Sequence, residues 1–262
     1  MIFTHPSIDP IIFSLGFIDI RWYSLAYIST FLIGLFLIKF FNNQNNSKIS
    51  NKHIEDFLIW SILGVIIGGR LGYVLFYQFE IFINNPFYLI YIWQGGMSFH
   101  GGLIGMTFSI FLFSKKNSIS FYYLADLVSL VAPIGLFLGR IANYINIELI
   151  GRVTEFPLAI RYPTIDNLTR HPSQLYEALL EGIILFIILL FIFFYLSSKK
   201  KDGYLSSIFF FFYSIFRFAI EFLREPDDHI GLIYEFFTLG QILCIPIILF
   251  GIILFIKKNS NA

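Results

Sequence analysis

Seven long apolar runs constrain this chain more than any other feature of its sequence. Each run is close to the roughly 20 residues that a helix needs to cross the hydrocarbon core of a membrane. We therefore predict an all-α integral membrane protein, a polytopic bundle of seven transmembrane helices. The predicted spans are Trp22–Phe41, Phe57–Tyr77, Gly95–Phe113, Tyr122–Gly139, Leu175–Leu196, Leu205–Leu223 and Glu235–Ile256.

The composition favours the same class. Of the 262 residues, 57% are hydrophobic and 13% are charged, whereas soluble domains carry roughly 25% charged residues. We expect one transmembrane domain over residues 1–262 and no nucleic-acid partner. The apolar segment Ile81–Trp93 is interrupted by Asn84-Asn85-Pro86, so it is predicted to be interfacial or re-entrant and not an eighth span.

The lysines predict the orientation. All of them fall at one end of the seven spans, and the positive-inside rule makes that end cytoplasmic. The N-terminus is then outside and the C-terminus inside. The cytoplasmic segments would be the loops Asn42–Lys52, Ser114–Ser118 and Ser197–Gly203 and the tail after Ile256.

The arginines are distributed differently, in the predicted outer loops or the outward halves of the spans. Arg70, Arg140 and Arg217 lie on three spans at similar predicted depth. The planar guanidinium group suits bidentate recognition of phosphate and tolerates partial burial. These three arginines therefore predict an anionic group held between the helices near the outer leaflet.

A polar stretch, Gly139 to Gly151, directly follows the fourth apolar run. It contains Arg140, Asn143, Asn146 and Glu148. Polar groups at this depth are costly unless they face a cavity, a partner or a substrate, so they predict a functional site. The structural alternative is that Arg140 extends to the lipid headgroups at the end of its span.

His100 lies between pairs of glycines near the outer end of the third span. An imidazole is well suited to accept a proton near neutral pH. The structural alternative is a glycine-packed helix contact, since Gly101 and Gly105 have the spacing of small residues at helix interfaces. The stripe Gly64, Gly68 and Gly72 of the second span is read as packing of the same kind.

Spans five and six each carry a polar face. Tyr213, Arg217, Glu221 and Arg224 recur at helical spacing on span six. They predict an Arg217–Glu221 ion pair, a phosphate ligand, or both. On span five, Ser173 or His171 is expected to cap the helix, with Ser173 the preferred candidate. Glu177 and Glu181 are four residues apart there, and Glu177 is expected to pair with an arginine or to orient an imidazole.

The longest predicted outer segment, Arg152 to Gln174, has alternating character at Phe156–Tyr162 and is expected to form a small strand-like cap.

The single cysteine, Cys244, excludes a disulfide framework and a cysteine-rich metal site. It has no adjacent base or cation, so it is read as a packing residue. No cluster of histidines and carboxylates has ligand spacing, and we expect neither a metal nor another cofactor.

The polar stretch resembles the signature of the prolipoprotein diacylglyceryl transferases, bacterial inner-membrane enzymes. Ala142 and Ile147 stand where glycine is more usual in that family, and Tyr144 where phenylalanine is. The resemblance covers nearly the whole chain. Its other blocks are Asp9-Pro10, Arg21-Trp22-Tyr23, Gly68 to Tyr73, His100 to Gly105, His171 to Glu177, Tyr213 to Arg217, Glu221 to Asp227 and Gly240-Gln241.

The resemblance implies a reaction. Phosphatidylglycerol would donate its diacylglyceryl group to the thiol of the lipobox cysteine in a prolipoprotein signal peptide, releasing glycerol 1-phosphate. His100, Arg140 and Arg217 would be catalytic, with both arginines on the phosphate and His100 a base or an orienting group. The predicted substrate-binding residues are Tyr23, Arg70, Arg140, Asn143, Asn146, Glu148, Gly151, Tyr213 and Glu221.

Two other classes compete with the transferase. A lipid or anion transporter would also line a cavity with arginines, but such proteins often have internal repeats, and this sequence contains none that we detect. A non-catalytic membrane scaffold should pair its buried charges one to one. We expect arginines to exceed carboxylates around Arg70, Arg140 and Arg217, which favours a site for an anion.

Overall fold

The computed structural model describes residues 3–16, 18–45, 47–195, 201–226, 233 and 236–259, and this part of the chain is mostly helical. The helices are α1 (Trp22–Gln44), α2 (Asn51–Tyr77), α3 (Phe79–Asn84), α4 (Phe99–Asn117), α5 (Phe121–Ile145), α6 (Ser173–Glu177), α7 (Leu185–Tyr195), α8 (Tyr204–Ile220) and α9 (Leu239–Asn259). A π-helical segment, Ala178–Ile184, joins α6 to α7. The strands are β1 (Phe3–Thr4), β2 (Ile11–Leu15), β3 (Ile18–Arg21), β4 (Ile160–Arg161) and β5 (Thr169–Arg170).

Five of the described helices are long and apolar enough to cross a membrane: α1, α2, α5, the continuous helix Ser173–Tyr195, and α9. The predicted helical membrane class is therefore confirmed. The other two predicted spans correspond to α4, which contains His100 and two lysines, and to α8, which has 17 residues. The number of seven spans and the orientation stay predictions.

The segment between α2 and α4 contains only short helices. It comprises α3 and two 3-10 turns, Pro86–Ile90 and Ile92–Gln94. Each is far shorter than the roughly 20 residues of a transmembrane helix. The expectation that Ile81–Trp93 is not an eighth span is confirmed.

Some predicted features lie outside the described residues. These are Leu196 and Glu235, which end and begin two predicted spans, Lys199 and Lys200 of a predicted cytoplasmic loop, and Asp227 of a signature block.

The contacts divide the chain into two compact units. The first comprises Met1–Gly34 and Val128–Ala262, and the second comprises Leu35–Leu127. The expectation of a single domain over the whole chain stays a prediction.

In the second unit, α2 and α4 approach one another through small residues. A Cβ on Gly105 would lie 2.9 Å from the carbonyl carbon of Gly64 and 3.0 Å from the Cα of Gly68. A Cβ on Gly72 would lie 2.8 Å from the Cα of Gly101. The packing interpretation of both glycine stripes is confirmed, because only glycine permits this backbone separation.

In the first unit, the N-terminal strand joins the 152–174 segment in a small sheet. β1 pairs in parallel with β4, and β4 pairs antiparallel with β5. The expected strand-like character at Phe156–Tyr162 is thus confirmed for Ile160–Arg161. The fully buried Tyr162 follows this strand, and its ring stacks on His5 with a centroid distance of 5.5 Å.

We expect Gly105→Ala to destabilise the protein by about 1–3 kcal/mol, because an added methyl group overpacks a close helix contact. The measurement is thermal unfolding in detergent. Gly102→Ala is the matched control, since its Cβ would meet only Val65, at the ordinary distance of 3.8 Å. Equal effects of the two substitutions would contradict the close packing of α2 on α4.

Candidate active site

The polar stretch Gly139–Gly151 begins as helix and ends as a turn. Helix α5 continues past the predicted boundary at Gly139 to Ile145. The turn then closes with the amides of Asn146 and Glu148 donating to the carbonyls of Ala142 and Asn143, each at 3.0 Å. Arg140 and Asn143 therefore lie in the last turns of a helix, and Glu148 lies in the turn that follows.

Two residues of this turn have left-handed backbone conformations. The φ angle is +57° at Ile147 and +56° at Leu149. A β-branched residue in this region is an outlier, because its Cβ crowds the backbone. This geometry explains why glycine is the expected residue at position 147. Such strain persists only where the surrounding structure holds the chain in place.

The start of α6 supplies that support. The Ser173 hydroxyl donates to the Leu149 carbonyl at 2.7 Å, and the Gln174 amide group donates to the Glu148 carbonyl at 2.6 Å. The expectation that Ser173 caps the helix is wrong, since Pro172 occupies the N-cap position and no side chain caps it. The hydroxyl instead satisfies a carbonyl that the strained turn leaves without a helical partner.

Gly151 permits a close approach of three chain segments. Its amide donates to the His171 carbonyl at 3.0 Å, and it forms an isolated bridge with Arg224. A Cβ at this position would lie 2.8 Å from the Leu223 carbonyl oxygen. The backbone of Gly151 thus joins the polar stretch to the end of α8.

Four of the predicted site residues meet at the carboxylate of Glu148. The Tyr23 hydroxyl donates to Glu148 Oε2 at 2.6 Å, and Asn143 Nδ2 donates to the same oxygen at 3.2 Å. Asn146 Nδ2 donates to Oε1 at 3.4 Å. Asn143 also contacts the Tyr23 oxygen. The Glu148 side chain is exposed, so this polar group is open to a ligand.

A buried charge cluster lies next to these residues. Glu177 forms ion pairs with both arginines: Arg140 Nε is 2.5 Å from its Oε2, and Arg217 Nη1 is 2.9 Å from its Oε1. Glu181 is farther away, at 3.5 Å from Arg140 and 3.9 Å from Arg217. The expected pairing of Glu177 with an arginine is confirmed.

The π-helical segment brings these carboxylates close to α5. A Cβ on Gly182 would lie 2.7 Å from the Cβ of Phe137. Gly182 therefore lets the segment that carries Glu181 pack directly against α5, one turn before Arg140. π-Helical turns are rare and are often found at functional sites.

The remaining charges come from α8 and its C-terminal end. Arg217 forms an ion pair with Glu221, and Arg224 lies 3.6 Å from the same carboxylate. The predicted Arg217–Glu221 ion pair is confirmed. The placement of Arg224 on the same helical face is wrong, because α8 ends at Ile220 and Arg224 lies beyond it, in a bridge with Gly151. The Thr238 hydroxyl donates to Glu221 Oε2 at 2.6 Å, a contact that sequence spacing did not indicate. Tyr213 is buried one turn before Arg217.

The expected excess of arginine is wrong for Arg140 and Arg217. Three carboxylates, Glu177, Glu181 and Glu221, lie within ion-pair distance of these two arginines. Charge must be nearly balanced because an unpaired charge in an apolar interior is costly. An incoming anion would therefore have to share the arginines with carboxylates that already hold them.

Arg70 and His100 belong to the second unit. The Arg70 side chain is 2% exposed, and its guanidinium donates to the carbonyls of Tyr88 at 2.7 Å, Leu89 at 3.2 Å and Gly95 at 2.5 Å. It thereby satisfies irregular backbone between α3 and α4. His100 is the second residue of α4, with an exposed side chain. The ligand roles of both residues stay predictions.

Cys244 is a buried free cysteine on α9, as expected for a packing residue. Among the described residues, no group of histidines, cysteines and carboxylates could hold a metal ion.

Comparison with known proteins identifies the same family as the sequence resemblance does. A family model described as prolipoprotein diacylglyceryl transferase matches residues 10–257. Three similar proteins carry the name phosphatidylglycerol–prolipoprotein diacylglyceryl transferase. They are from Rickettsia typhi (49% identical, covering 98% of this chain and 99% of the relative), Idiomarina loihiensis (45%; 98% and 95%) and Allorhizobium ampelinum (44%; 96% and 90%).

We expect Ile147→Gly to stabilise the protein by about 1 kcal/mol. A left-handed L-residue costs roughly 1–2 kcal/mol, and the greater chain entropy of glycine in the unfolded state offsets part of the gain. Thermal unfolding in detergent measures the change. Ile150→Gly is the control, because Ile150 has no positive φ and should only lose stability. A loss of stability in Ile147→Gly would contradict the backbone strain.

A second prediction concerns His5, which is 2% exposed. Its Nε2 lies 3.0 Å from the Tyr144 carbonyl, and its Nδ1 accepts the Ser7 amide at 3.0 Å, so the neutral tautomer with hydrogen on Nε2 satisfies both contacts. Burial lowers the pKa of His5. Protonation would place a second donor against the Ser7 N–H group.

Because its pKa in the folded state lies below the unfolded value of about 6.5, His5 makes the folded protein lose stability as pH falls through about 6.5 and below. We expect hydrogen exchange of the β1–β4 amides, corrected for its intrinsic pH dependence, to accelerate on acidification. His5→Phe should reduce this acceleration. An unchanged pH dependence of exchange in that variant would show that a group other than His5 causes the acceleration.

Proposed function

The chain belongs to the prolipoprotein diacylglyceryl transferase family, and from this premise we propose its reaction, substrates and site. The sn-1,2-diacylglyceryl group of phosphatidylglycerol passes to the thiol of the lipobox cysteine of a prolipoprotein. A thioether forms and glycerol 1-phosphate is released. This transfer is the first step of bacterial lipoprotein maturation.

The observation that carries the proposal is the pair of partly buried guanidinium groups, Arg140 and Arg217, held around one fully buried carboxylate, Glu177. A bond between carbon and a phosphate oxygen breaks in this reaction, and negative charge develops on the phosphate. Fixed cations in an apolar site stabilise such charge more strongly than they would in water. The arginines are therefore assigned to the phosphate as it becomes the leaving group.

The second part of the site is the group of hydrogen-bonding residues around Glu148. Tyr23, Asn143 and Asn146 all donate hydrogen bonds to its exposed carboxylate, which lies in the turn that follows the helix of Arg140. These polar groups suit the hydroxyl groups of a glycerol headgroup. We assign these residues, together with the backbone of Gly151, to the positioning of the donor lipid.

His100 is assigned to the incoming thiol, either as the base that accepts its proton or as an orienting group. An imidazole can accept a proton near neutral pH. Its exposed position in the first turn of α4 is consistent with access by a substrate. Tyr213 and Glu221 are assigned to support of Arg217, and Arg70 remains a proposed contact of the anionic headgroup.

The membrane arrangement is part of the proposal. We place the protein in the bacterial inner membrane as a single domain of seven spans, with its N-terminus outside and its C-terminus in the cytoplasm. The positions of the lysines support this orientation. The active site then faces the outer leaflet, and the 152–174 segment lies where the signal peptide of the prolipoprotein would arrive.

The first test is transfer itself. Purified protein receives phosphatidylglycerol and a lipobox peptide, and the release of glycerol phosphate is followed together with the peptide mass. We expect Arg140→Ala to lower kcat about 100- to 1,000-fold, the usual effect of losing one group that stabilises transition-state charge. Arg140→Lys keeps the charge but loses the planar fork, and we expect it to be impaired as well.

The control is Cys244→Ala, which should keep its activity because the reacting thiol belongs to the substrate. Loss of activity in folded Cys244→Ala would contradict that assignment. Binding of phosphatidylglycerol without a gain in peptide mass would favour the lipid-binding or transport alternative. Thermal unfolding of each variant separates a chemical defect from a folding defect.

A further inference from the structure

The two carboxylates that face the arginine pair are held unequally. Glu177 lies at 2.5 Å and 2.9 Å from the two guanidinium groups, whereas Glu181 lies at 3.5 Å and 3.9 Å. Both side chains have 0% exposure. The carboxylate oxygens of both residues are buried. Glu181 is the less tightly held of the two, because its contacts with the arginines are the longer ones.

The cluster is balanced as it stands. Three carboxylates, those of Glu177, Glu181 and Glu221, face three guanidinium groups, those of Arg140, Arg217 and Arg224. A phosphodiester adds one negative charge and competes for the same N–H donors. A buried group that loses its counter-charge takes up or releases a proton instead of remaining ionised.

We propose that Glu181 is a displaceable counterion. It neutralises Arg140 and Arg217 in the empty site, and it takes up one proton when the phosphate of the donor lipid replaces it. This inference rests on the function proposed above. Glu181 acts through the arginines, so it is a positioning residue for the phosphate.

The neighbouring groups point to Glu181 and not to another acid. Glu177 bridges both arginines at shorter distances, and Glu221 is held by the Thr238 hydroxyl as well as by Arg217 and Arg224. The charged and titratable groups that act on Glu181 come from α5, its own helix, α8 and α9. They are Arg140, Glu177, Arg217, Tyr213 and Cys244.

The proton held by Glu181 could also protonate the phosphate product at the end of the reaction. When the carbon–oxygen bond breaks, its electron pair stays on the phosphate, which becomes a monoester with a second negative charge. The carboxylic acid of Glu181 can give its proton to that oxygen. Its own O–H bond breaks, an O–H bond forms on the phosphate, and the restored carboxylate competes with the product for the arginines.

Calorimetry tests the proposal. Phosphatidylglycerol is titrated into the full-length protein in detergent, in buffers that differ in ionisation enthalpy, which gives the number of protons taken up. We expect about one proton per bound lipid, and an affinity that falls by up to about tenfold for each unit of rising pH within the window of uptake. The phosphodiester itself remains anionic throughout, so it does not supply the signal.

The variant is Glu181→Gln, which is neutral at every pH. It should bind phosphatidylglycerol without proton uptake and with little pH dependence, an effect that a merely structural role would not produce. Glu55→Gln is the matched control, because Glu55 pairs with Lys39 on an exposed surface, and this variant should behave as the wild type. Unchanged proton uptake in Glu181→Gln would overturn the assignment to Glu181.

The wild-type measurement can overturn the proposal even if the variant fails to fold. Binding of phosphatidylglycerol without proton uptake would overturn the counterion role and leave the transferase proposal intact. A protein that does not bind phosphatidylglycerol would overturn both. Proton uptake on binding, without transfer to a peptide, would support the counterion and contradict the proposed enzyme.

Discussion

The burial of the Glu177 carboxylate between Arg140 and Arg217 is the interaction on which the first unit depends. A carboxylate without solvent exposure is stable only when cations neutralise it, and removal of one partner typically costs about 3–5 kcal/mol. Since the two arginines lie on α5 and α8, this single side chain fixes both helices against α6. The same contacts hold two guanidinium groups around one carboxylate. In the proposed function, the stability of the first unit and the binding of the phosphate would therefore depend on one set of charges.

Backbone groups impose the second constraint. In apolar surroundings every N–H and C=O group needs a partner, and irregular chain is tolerated only where the protein supplies one. Arg70 meets this need for the carbonyls between α3 and α4, and Ser173 and Gln174 meet it for the turn after α5. An arginine buried in a membrane protein is thus not by itself a ligand for a substrate. Its partners decide whether it binds backbone or remains available to an anion.

Most of the helical architecture followed from local pattern. The apolar runs of membrane length are helical in the structure, and the helical spacing of Arg217 and Glu221 correctly predicted their ion pair. The sequence also correctly predicted that Asn143, Asn146 and Glu148 lie together, because those residues are close in sequence. The helix boundary at Gly139 was set too early. Polar side chains in the last turns of α5 form contacts with neighbouring segments. The helix can therefore continue beyond the end of the apolar run.

What the sequence by itself determined is the membrane class, the family and the identity of the polar residues. All three depend on the order and spacing of side chains along the chain. Only the tertiary structure decided which charges meet. The carboxylates of Glu177 and Glu181 reach Arg140 from a distant helix because Gly182 permits close packing on Phe137, and this overturned the expected excess of arginine. Spacing within one helix carries no information about the residue opposite it, since that depends on how the helices pack.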